Sequence, residues 1–462
     1  MDKSFTFDRE LIEKCQMNAP RYTSYPTADK FDLDFNVSQQ LKQLNKIFVN
    51  TQKLEPISLY IHIPFCNTLC LFCACNKIIT NDKSKINTYL DYLEREIELY
   101  FKIIKQKPEV IQLHFGGGSP SWMSIPELER VMSIIKKYFN LDNALEIAME
   151  VDPRHTTNDF IDALKRNGFN RISLGVQDLD PKVQKAVNRI QPFELSENVL
   201  NHARLNGFKS TNIDLIYGLP FQNQDGFSKT IEKVIELKPE RIALFNYAHI
   251  PSLFMPQTRI NEEDMPSASE KLDILQMSVN KLSDAGYIFI GMDHFAAPND
   301  ELAKAYLNGT MQRNFQGYST FSDTNMLSFG VSAIGFIGDS YYQNNKNLES
   351  YYVSIDNNEL PVVRGLLLDF DDIIRREIIQ MIMCDFKLDF AIVANKFNLD
   401  FAAYFAAELV DLEKIANLGL INLLADQFIV TDAGRFLIRN VAVIFDKYYR
   451  QKKEKNSYSK VI

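Results

Sequence analysis

Apolar positions along this chain follow two alternating periods. Strand-length runs rich in Ile, Leu, Val and aromatic residues occupy 57–64, 110–115, 145–151, 171–176, 211–219, 241–248 and 287–292. Between them, segments 85–104, 125–138, 158–167, 196–206 and 226–237 carry apolar residues at helical spacing. Strand, helix and strand in repetition predict parallel βαβ units, so the fold class is α/β. The number of units suits a partial (β/α)6 barrel with accessory strands over 51–365, with six barrel strands plus one accessory strand expected. After about residue 365 the pattern changes. Helices are predicted at 369–384, 389–397 and 402–417, then a hairpin at 419–424 and 427–431, then a last helix at 432–448. Residues 366–462 therefore read as a small, mostly helical cap domain of winged-helix character. Residues 1–50 read as an arm, in which Pro20 and Pro26 flank Arg21, Tyr22 and Tyr25 and imply an extended, ordered segment.

Composition narrows the class. The chain has 462 residues, 46% hydrophobic and 24% charged, as expected of a globular protein with room for two domains. No apolar run reaches about 18 residues, which argues against a membrane span. The first ten residues carry early acid and lack an apolar signal core, so a cytoplasmic location is expected. A formal net charge of −8 argues against a nucleic-acid partner but allows an anionic small substrate held by a local basic pocket. The basic run from Arg450 onwards reads as a solvated tail.

Barrels carry their chemistry at the C-terminal ends of strands, and polar residues collect there in succession. The second strand ends in Gly116-Gly117-Gly118-Ser119-Pro120 and the third in Glu150-Val151-Asp152-Pro153-Arg154. The fourth ends in Gln177-Asp178, the fifth carries Asp214, and the sixth ends in Asn246-Tyr247-Ala248-His249. Three glycines in a row allow backbone N–H groups to come close to a cofactor. Glu150, Arg189 and Asp214 can hold hydroxyl, amino and carboxylate groups through charge-assisted bonds, or form structural ion pairs.

The first strand runs into Cys66, Cys70, Cys73 and Cys75, four of the six cysteines within ten residues. Three thiolates spaced four and three apart can hold three irons of a [4Fe–4S] cube and leave the fourth iron open. A zinc site more usually shows separated Cys pairs, or His downstream. The spacing favours the cluster over a zinc knuckle or free thiols. Cys15 and Cys384 read as plain buried thiols.

The cysteine loop resembles that of radical S-adenosylmethionine enzymes. With Tyr60-Ile-His62-Ile-Pro-Phe-Cys66, Cys75, Gly-Gly-Gly-Ser-Pro, Glu-Val-Asp-Pro-Arg, Gly-Val-Gln-Asp, Phe-Asn-Tyr-Ala-His, Gly-Met-Asp-His-Phe, Arg313-Asn314-Phe315-Gln316-Gly317-Tyr318 and the arm motif Pro-Arg-Tyr-Thr-Ser-Tyr-Pro-Thr, the chain resembles the oxygen-independent coproporphyrinogen III oxidase family along nearly its whole length. The resemblance implies oxidative decarboxylation of two propionates of coproporphyrinogen III to vinyl groups, giving protoporphyrinogen IX. It implies a 5′-deoxyadenosyl radical that abstracts a propionate hydrogen, a [4Fe–4S] cluster and two S-adenosylmethionine molecules. Cys66, Cys70 and Cys73 would be the cluster ligands and Cys75 a functional non-ligand. Tyr60, Gly117, Glu150 and Ile334 match contacts to the first S-adenosylmethionine. Phe72, Gly118, Ser119, Gln177, Arg189, Asp214 and Ala248 match contacts mainly to the second. Tyr60, His62, Glu150, Phe315 and Gln316 match active-site positions. Ser119 stands where the family usually has Thr, and Ala74 where it often has Gly. The implied partners are coproporphyrinogen III, a reductase as electron donor and a separate electron acceptor, with no nucleic acid, no membrane and a monomeric state. Haem-carrying and haem-degrading relatives of the same superfamily are the alternatives. The haem-carrying ones generally lack the fourth cysteine and the arm, both present here. Arg21 in the arm is a candidate for holding a propionate.

Overall fold

The computed structural model describes residues 7–51, 54–315, 317–321, 324–451, 458 and 460–461. Its frame is a twelve-stranded sheet. The strands are β1 (Ile57–Ile63), β2 (Val110–Gly117), β3 (Glu146–Val151), β4 (Arg171–Gln177), β5 (Ser210–Tyr217), β6 (Arg241–Asn246), β7 (Ile288–Gly291), β8 (His294–Ala296), β9 (Met326–Phe329), β10 (Ile334–Ile337), β11 (Ser340–Asn344) and β12 (Val362–Leu367). The spatial order is β12-β11-β10-β9-β1-β2-β3-β4-β5-β6-β8-β7. β9 and β1 to β6 run parallel, and the strands outside them pair antiparallel. The parallel set thus has seven strands rather than six. The seventh, β9, is only four residues long, and all four are buried. The run expected near 287–292 as an accessory strand is the antiparallel edge strand β7.

The helices after β1 to β6 are α1 (Ser84–Ile104), α2 (Ile125–Tyr138), α3 (Asn158–Arg166), α4 (Phe193–Leu205), α5 (Gln224–Leu237) and α6 (Ala268–Asp284). Each lays an apolar face on the outer side of the sheet. Ile86, Leu90, Leu93 and Ile97 of α1 join Leu59, Ile61 and Ile63 of β1 in one continuous core. Full burial stabilises each such side chain by about 1.5–3 kcal/mol. Starts and stops follow local chemistry. Ser124 and Glu127 form a capping box on α2, Asn223 caps α5, and Lys238 ends α5 in the left-handed region.

Strand residues alternate between the two faces of the sheet. The outward set is apolar, while the inward set is strongly polar: Tyr60 and His62, Gln112 and His114, Glu146 and Glu150, Arg171 and Ser173, Asn212 and Asp214, Arg241 and Phe245. Parallel registers align Tyr60 with His114, Glu150 with Ser173 and Gly175 with Asp214. A filled β/α barrel would carry branched aliphatics on this face. Here, the interior is built to hold something polar.

A second core collects the C-terminal helices, the three-stranded sheet Lys387–Asp389, Gln427–Val430 and Ile421–Leu423, and Tyr22 and Tyr25 of the arm. The single helix expected over 402–417 is broken at Phe405 (φ −109°, ψ 29°), a fully buried ring. The last helix expected over 432–448 is divided into Asp432–Phe436, Ile438–Ala442, the short turn Val443–Phe445 and Lys447–Gln451, the first break falling at Leu437 (φ −101°, ψ 25°).

Candidate active site

The cysteine loop leaves the C-terminal end of β1 and is closed at its base. Phe65–Cys66 pairs in parallel with Ile78–Ile79, Ile78 N donates to the Pro64 carbonyl (2.7 Å), and Thr80 N donates to the Cys66 carbonyl (2.8 Å). Leu71 N donates to the Val187 carbonyl (3.0 Å) and Asn188 Nδ2 to the Leu69 carbonyl (2.8 Å), which docks the loop on the segment after β4. The glycine run seals the other side. Gly118 N donates to Ile63 O (2.8 Å) and Ser119 N to Phe65 O (3.0 Å). The Gly118 and Ser119 N–H groups therefore grip the loop base, while Gly117 and Gly118 still line the cavity. A Cβ on Gly118 would come 2.5 Å from Pro64 O, and one on Gly117 (φ +114°) 2.6 Å from the His62 ring.

A cavity of about 410 Å³ runs from this loop into the barrel. The sequence-predicted residues Cys66, Cys70, Phe72, Cys73, Cys75, Gly117, Gly118, Ser119, Glu150, Gln177, Arg189 and Asp214 all line it. Tyr60 and His62 stand just behind the lining. His62 Nε2 faces the Asn76 carbonyl (3.0 Å) and so carries the proton, leaving Nδ1 to accept from Tyr60 Oη (3.2 Å). Burial holds the His62 pKa below its ordinary value, in keeping with this neutral form. Tyr60 stacks on His114 (centroids 6.0 Å, 11°), and His114 Nε2 meets Glu150 Oε1 at 3.2 Å. Three other predicted residues lie outside the cavity lining. Ala248 is one bond removed, its carbonyl accepting from Gln257 Nε2, which also reaches the Phe72 carbonyl. Ile334 and Phe315 pack together beside Phe31, Tyr341 and Leu368. Gln316 lies outside the described residues. Arg21 is paired with Asp293 and lies over Phe245, whose ring lines the cavity.

Several polar residues here carried no assigned role in the sequence reading. Ser173 Oγ donates to Asp214 Oδ2 (2.9 Å) and Asn212 Nδ2 to Asp214 Oδ1 (2.7 Å). Burial first, and the Glu150 charge in addition, push the Asp214 carboxyl up to about 6 against these hydrogen bonds. Deeper in, Glu146 accepts from Gln112 (2.7 Å) and pairs with Arg171 (2.7 Å), and Arg241 donates to Asp300 (2.8 Å), making a charged floor. The period-two placement of these polar residues within apolar strands was the signal that could have found them.

The sulfurs are electrostatically unsettled without a cation. Burial and the neighbouring Cys73 and Cys70 push the Cys66 thiol up to about 12. A hydrogen bond from Cys75 brings Cys73 down to about 6, and the same contact drives Cys75 upward.

Comparison with known proteins decides the family. The profile described as Radical SAM superfamily matches residues 60–234, and that described as HemN C-terminal domain matches residues 368–437. The chain is 46% identical over 461 residues to the oxygen-independent coproporphyrinogen III oxidase of Salmonella typhimurium, covering 100% of both chains. It is 46% identical to the Escherichia coli protein of the same name, covering 99% of this chain and 98% of that one. This chain belongs to the oxygen-independent coproporphyrinogen III oxidase family. A solved structure titled as coproporphyrinogen III oxidase (HemN) from Escherichia coli, a radical SAM enzyme, superposes with a TM-score of 0.91 at 45% identity, covering 96% of this chain and all of the other.

Membership of the Radical SAM superfamily carries a [4Fe–4S] cluster and S-adenosylmethionine with it, and the residues present fit both. Four thiols face one cavity, none is in a disulfide, and bound iron would favour the thiolate of Cys66 against the burial and neighbouring sulfurs that push it upward. Beyond the sulfurs, Arg189 Nε is buried without a partner, and the polar wall of Glu150, Gln177 and Asp214 suits an amino-acid and ribose ligand.

Proposed function

We propose that this protein decarboxylates two propionates of coproporphyrinogen III to vinyl groups without oxygen, yielding protoporphyrinogen IX. The observation that carries the reading is the full-length match to coproporphyrinogen III oxidases combined with a polar barrel interior opening directly beneath the cysteine loop. When bound, the cluster and S-adenosylmethionine supply a 5′-deoxyadenosyl radical that takes one β-hydrogen from a propionate. Loss of CO₂ and of one electron to an external acceptor then leaves the vinyl group. Two rounds consume two S-adenosylmethionine, release two methionine and two 5′-deoxyadenosine, and draw two electrons from a reductase.

In this reading Cys66, Cys70 and Cys73 hold three irons, and Cys75 stays free. Tyr60, Gly117, Glu150 and Ile334 serve one S-adenosylmethionine, and Phe72, Gly118, Ser119, Gln177, Arg189, Asp214 and Ala248 serve a second. Glu150 and Asp214 supply acceptors for amino and hydroxyl groups, and Arg189 a donor for a carboxylate. His62, with Phe315 and Gln316, belongs to the substrate side. Neutral His62 accepts from the Tyr60 hydroxyl and so fixes its orientation. The enclosing barrel keeps water away from a reactive radical. The test is anaerobic reconstitution with iron and sulfide, followed by incubation with S-adenosylmethionine, a reductant and coproporphyrinogen III. The expected result is a divinyl product with two 5′-deoxyadenosine per porphyrin. Stoichiometric haem binding without a vinyl product would overturn the proposal.

A further inference from the structure

The third barrel strand ends in Glu-Val-Asp-Pro-Arg, and the reading above uses only its glutamate. Its arginine meets Cys70, together with Arg189 from the segment after the fourth strand. Arg154 Nη2 lies 3.7 Å from Cys70 Sγ, and Arg189 Nη1 lies 3.6 Å from the same atom. Asp152 holds both guanidinium groups. It accepts from Arg154 Nε (2.9 Å) and Nη2 (2.6 Å) and from Arg189 Nη1 (3.1 Å). Asp152 is itself anchored from behind, its backbone N donating to Ser121 Oγ (2.9 Å) and its carbonyl accepting from Thr156 Oγ1 (2.8 Å). All three side chains are largely buried, with 9% of Asp152, 12% of Arg154 and 9% of Arg189 exposed.

We infer that Arg154, held by Asp152 and acting with Arg189, is a positioning residue that clamps the Cys70 sulfur and raises the reduction potential of the cluster bound there. The charge count supports this. Two buried guanidinium groups contact Cys70 and share one carboxylate, so Asp152 offsets only one of their two charges; Arg189 also answers to a bound carboxylate, which leaves Arg154 as the contact committed to Cys70. Among the described residues, both guanidinium contacts to sulfur fall on Cys70. Lys77 donates to the Cys73 and Cys75 carbonyls (2.9 and 3.3 Å), and its charge also favours the Cys73 thiolate, so Cys73 has a lysine where Cys70 has the guanidinium pair. Adding an electron makes a cluster more negative, so donors and positive charge at one sulfur stabilise the reduced form. A cluster that must deliver an electron to a sulfonium also has to accept one from a reductase, and the clamp eases that first step.

The inference rests on Cys70 being a cluster ligand, and two variants test it beyond that. In Arg154→Gln the midpoint potential, measured by redox titration of reconstituted protein, is expected to move to more negative values with the iron and sulfide content retained. In Asp152→Asn, which frees both guanidinium groups toward sulfur, it is expected to move the opposite way. The electron paramagnetic resonance signal of the reduced cluster is expected to change in both. A purely structural role would not give shifts of opposite sign. Unchanged potentials, or shifts of the same sign, overturn the clamp, and if one variant fails to fold the sign of the other decides. Cys70→Ser separates the underlying assumption: full cluster content in that variant would refute ligation by Cys70, whatever Arg154 does.

Discussion

One methyl group at Gly118 would test how the cysteine loop is held. Its Cβ would meet backbone atoms of Pro64 and Phe65, at 2.5–3.0 Å, and backbone cannot swing aside as a long side chain does. Gly118→Ala is expected to cost about 1–3 kcal/mol and to lower iron content after reconstitution, because the Gly118–Ile63 and Ser119–Phe65 hydrogen bonds fix the loop base. Urea unfolding of the cluster-free protein, with iron analysis, measures both, and unchanged iron content would show that the base has slack. Cys75 calls for the opposite outcome. It is exposed and interacts with Cys73 rather than with the strand, so Cys75→Ser is expected to keep iron and sulfide while losing vinyl product formation. Loss of the cluster instead would mean ligation by four thiolates. At this scale the residues themselves were legible, because cysteine spacing and strand-end position are local. The function of the glycines was not, since it depends on which backbone lies opposite.

Among elements, the junction between α1 and the β9–β10 turn has its own electrostatic signature. Fully buried Glu96 accepts from Gly330 N (2.8 Å), Asn344 Nδ2 (2.7 Å) and Tyr351 Oη (2.6 Å). Tyr89, two turns earlier on α1, donates to the His62 carbonyl (2.7 Å) and accepts from Val331 N (3.1 Å), tying the same turn to β1. Burial raises the Glu96 carboxyl from 4.5 to about 7, against the pull of its three donors. Between those two values the folded state holds a proton that the unfolded state has released. The stability linked to this group is therefore complete below about pH 4.5 and is lost as pH rises through about 7. Relative to Glu96→Gln, the unsubstituted protein is expected to lose on the order of 3 kcal/mol between pH 4.5 and 8 in urea unfolding. Parallel pH profiles for the two proteins would refute the assignment. The sequence disclosed β1 to β6 because each is a long apolar run between amphipathic helices. It did not disclose β9, four residues long and buried on both faces, nor the short antiparallel strands after it, whose periodicity is too brief to register. The polar inner face of the barrel was present as alternation within those same runs, but their overall apolarity masked it.

Across the whole molecule, the two ends of the chain are held by one buried arginine. Arg439 donates to the carbonyls of Ala19 (2.7 Å), Lys460 and Val461 (2.7 Å), joining the arm, the C-terminal helices and the tail. Burial holds its pKa down to about 9, so the guanidinium group stays charged at neutral pH and binds these carbonyl dipoles as a full cation. The arm is fixed again further on, where Tyr22 Oη donates to Asp446 (3.0 Å), Arg313 Nε donates to Tyr22 O (3.2 Å), and Lys447 N donates to Tyr25 Oη (3.2 Å). An extended arm was legible from Pro20 and Pro26. What it lies on was not, because its partners are more than 250 residues away in the chain. Between these two anchor points Arg21 reaches Asp293 beside the cavity residue Phe245, so the path of the arm past the barrel depends on both. Arg439→Met removes the donors while keeping most of the buried apolar volume, and leaves three carbonyls unpaired at a cost of about 3 kcal/mol. It is expected to speed limited proteolysis and amide exchange in residues 9–27 and at the C-terminus, while the cysteine loop keeps its protection. If the arm also presents Arg21 to a substrate propionate, the apparent KM for coproporphyrinogen III rises in this variant with little change in cluster content. Faster exchange spread evenly over the barrel would show instead that Arg439 supports the whole fold rather than the arm.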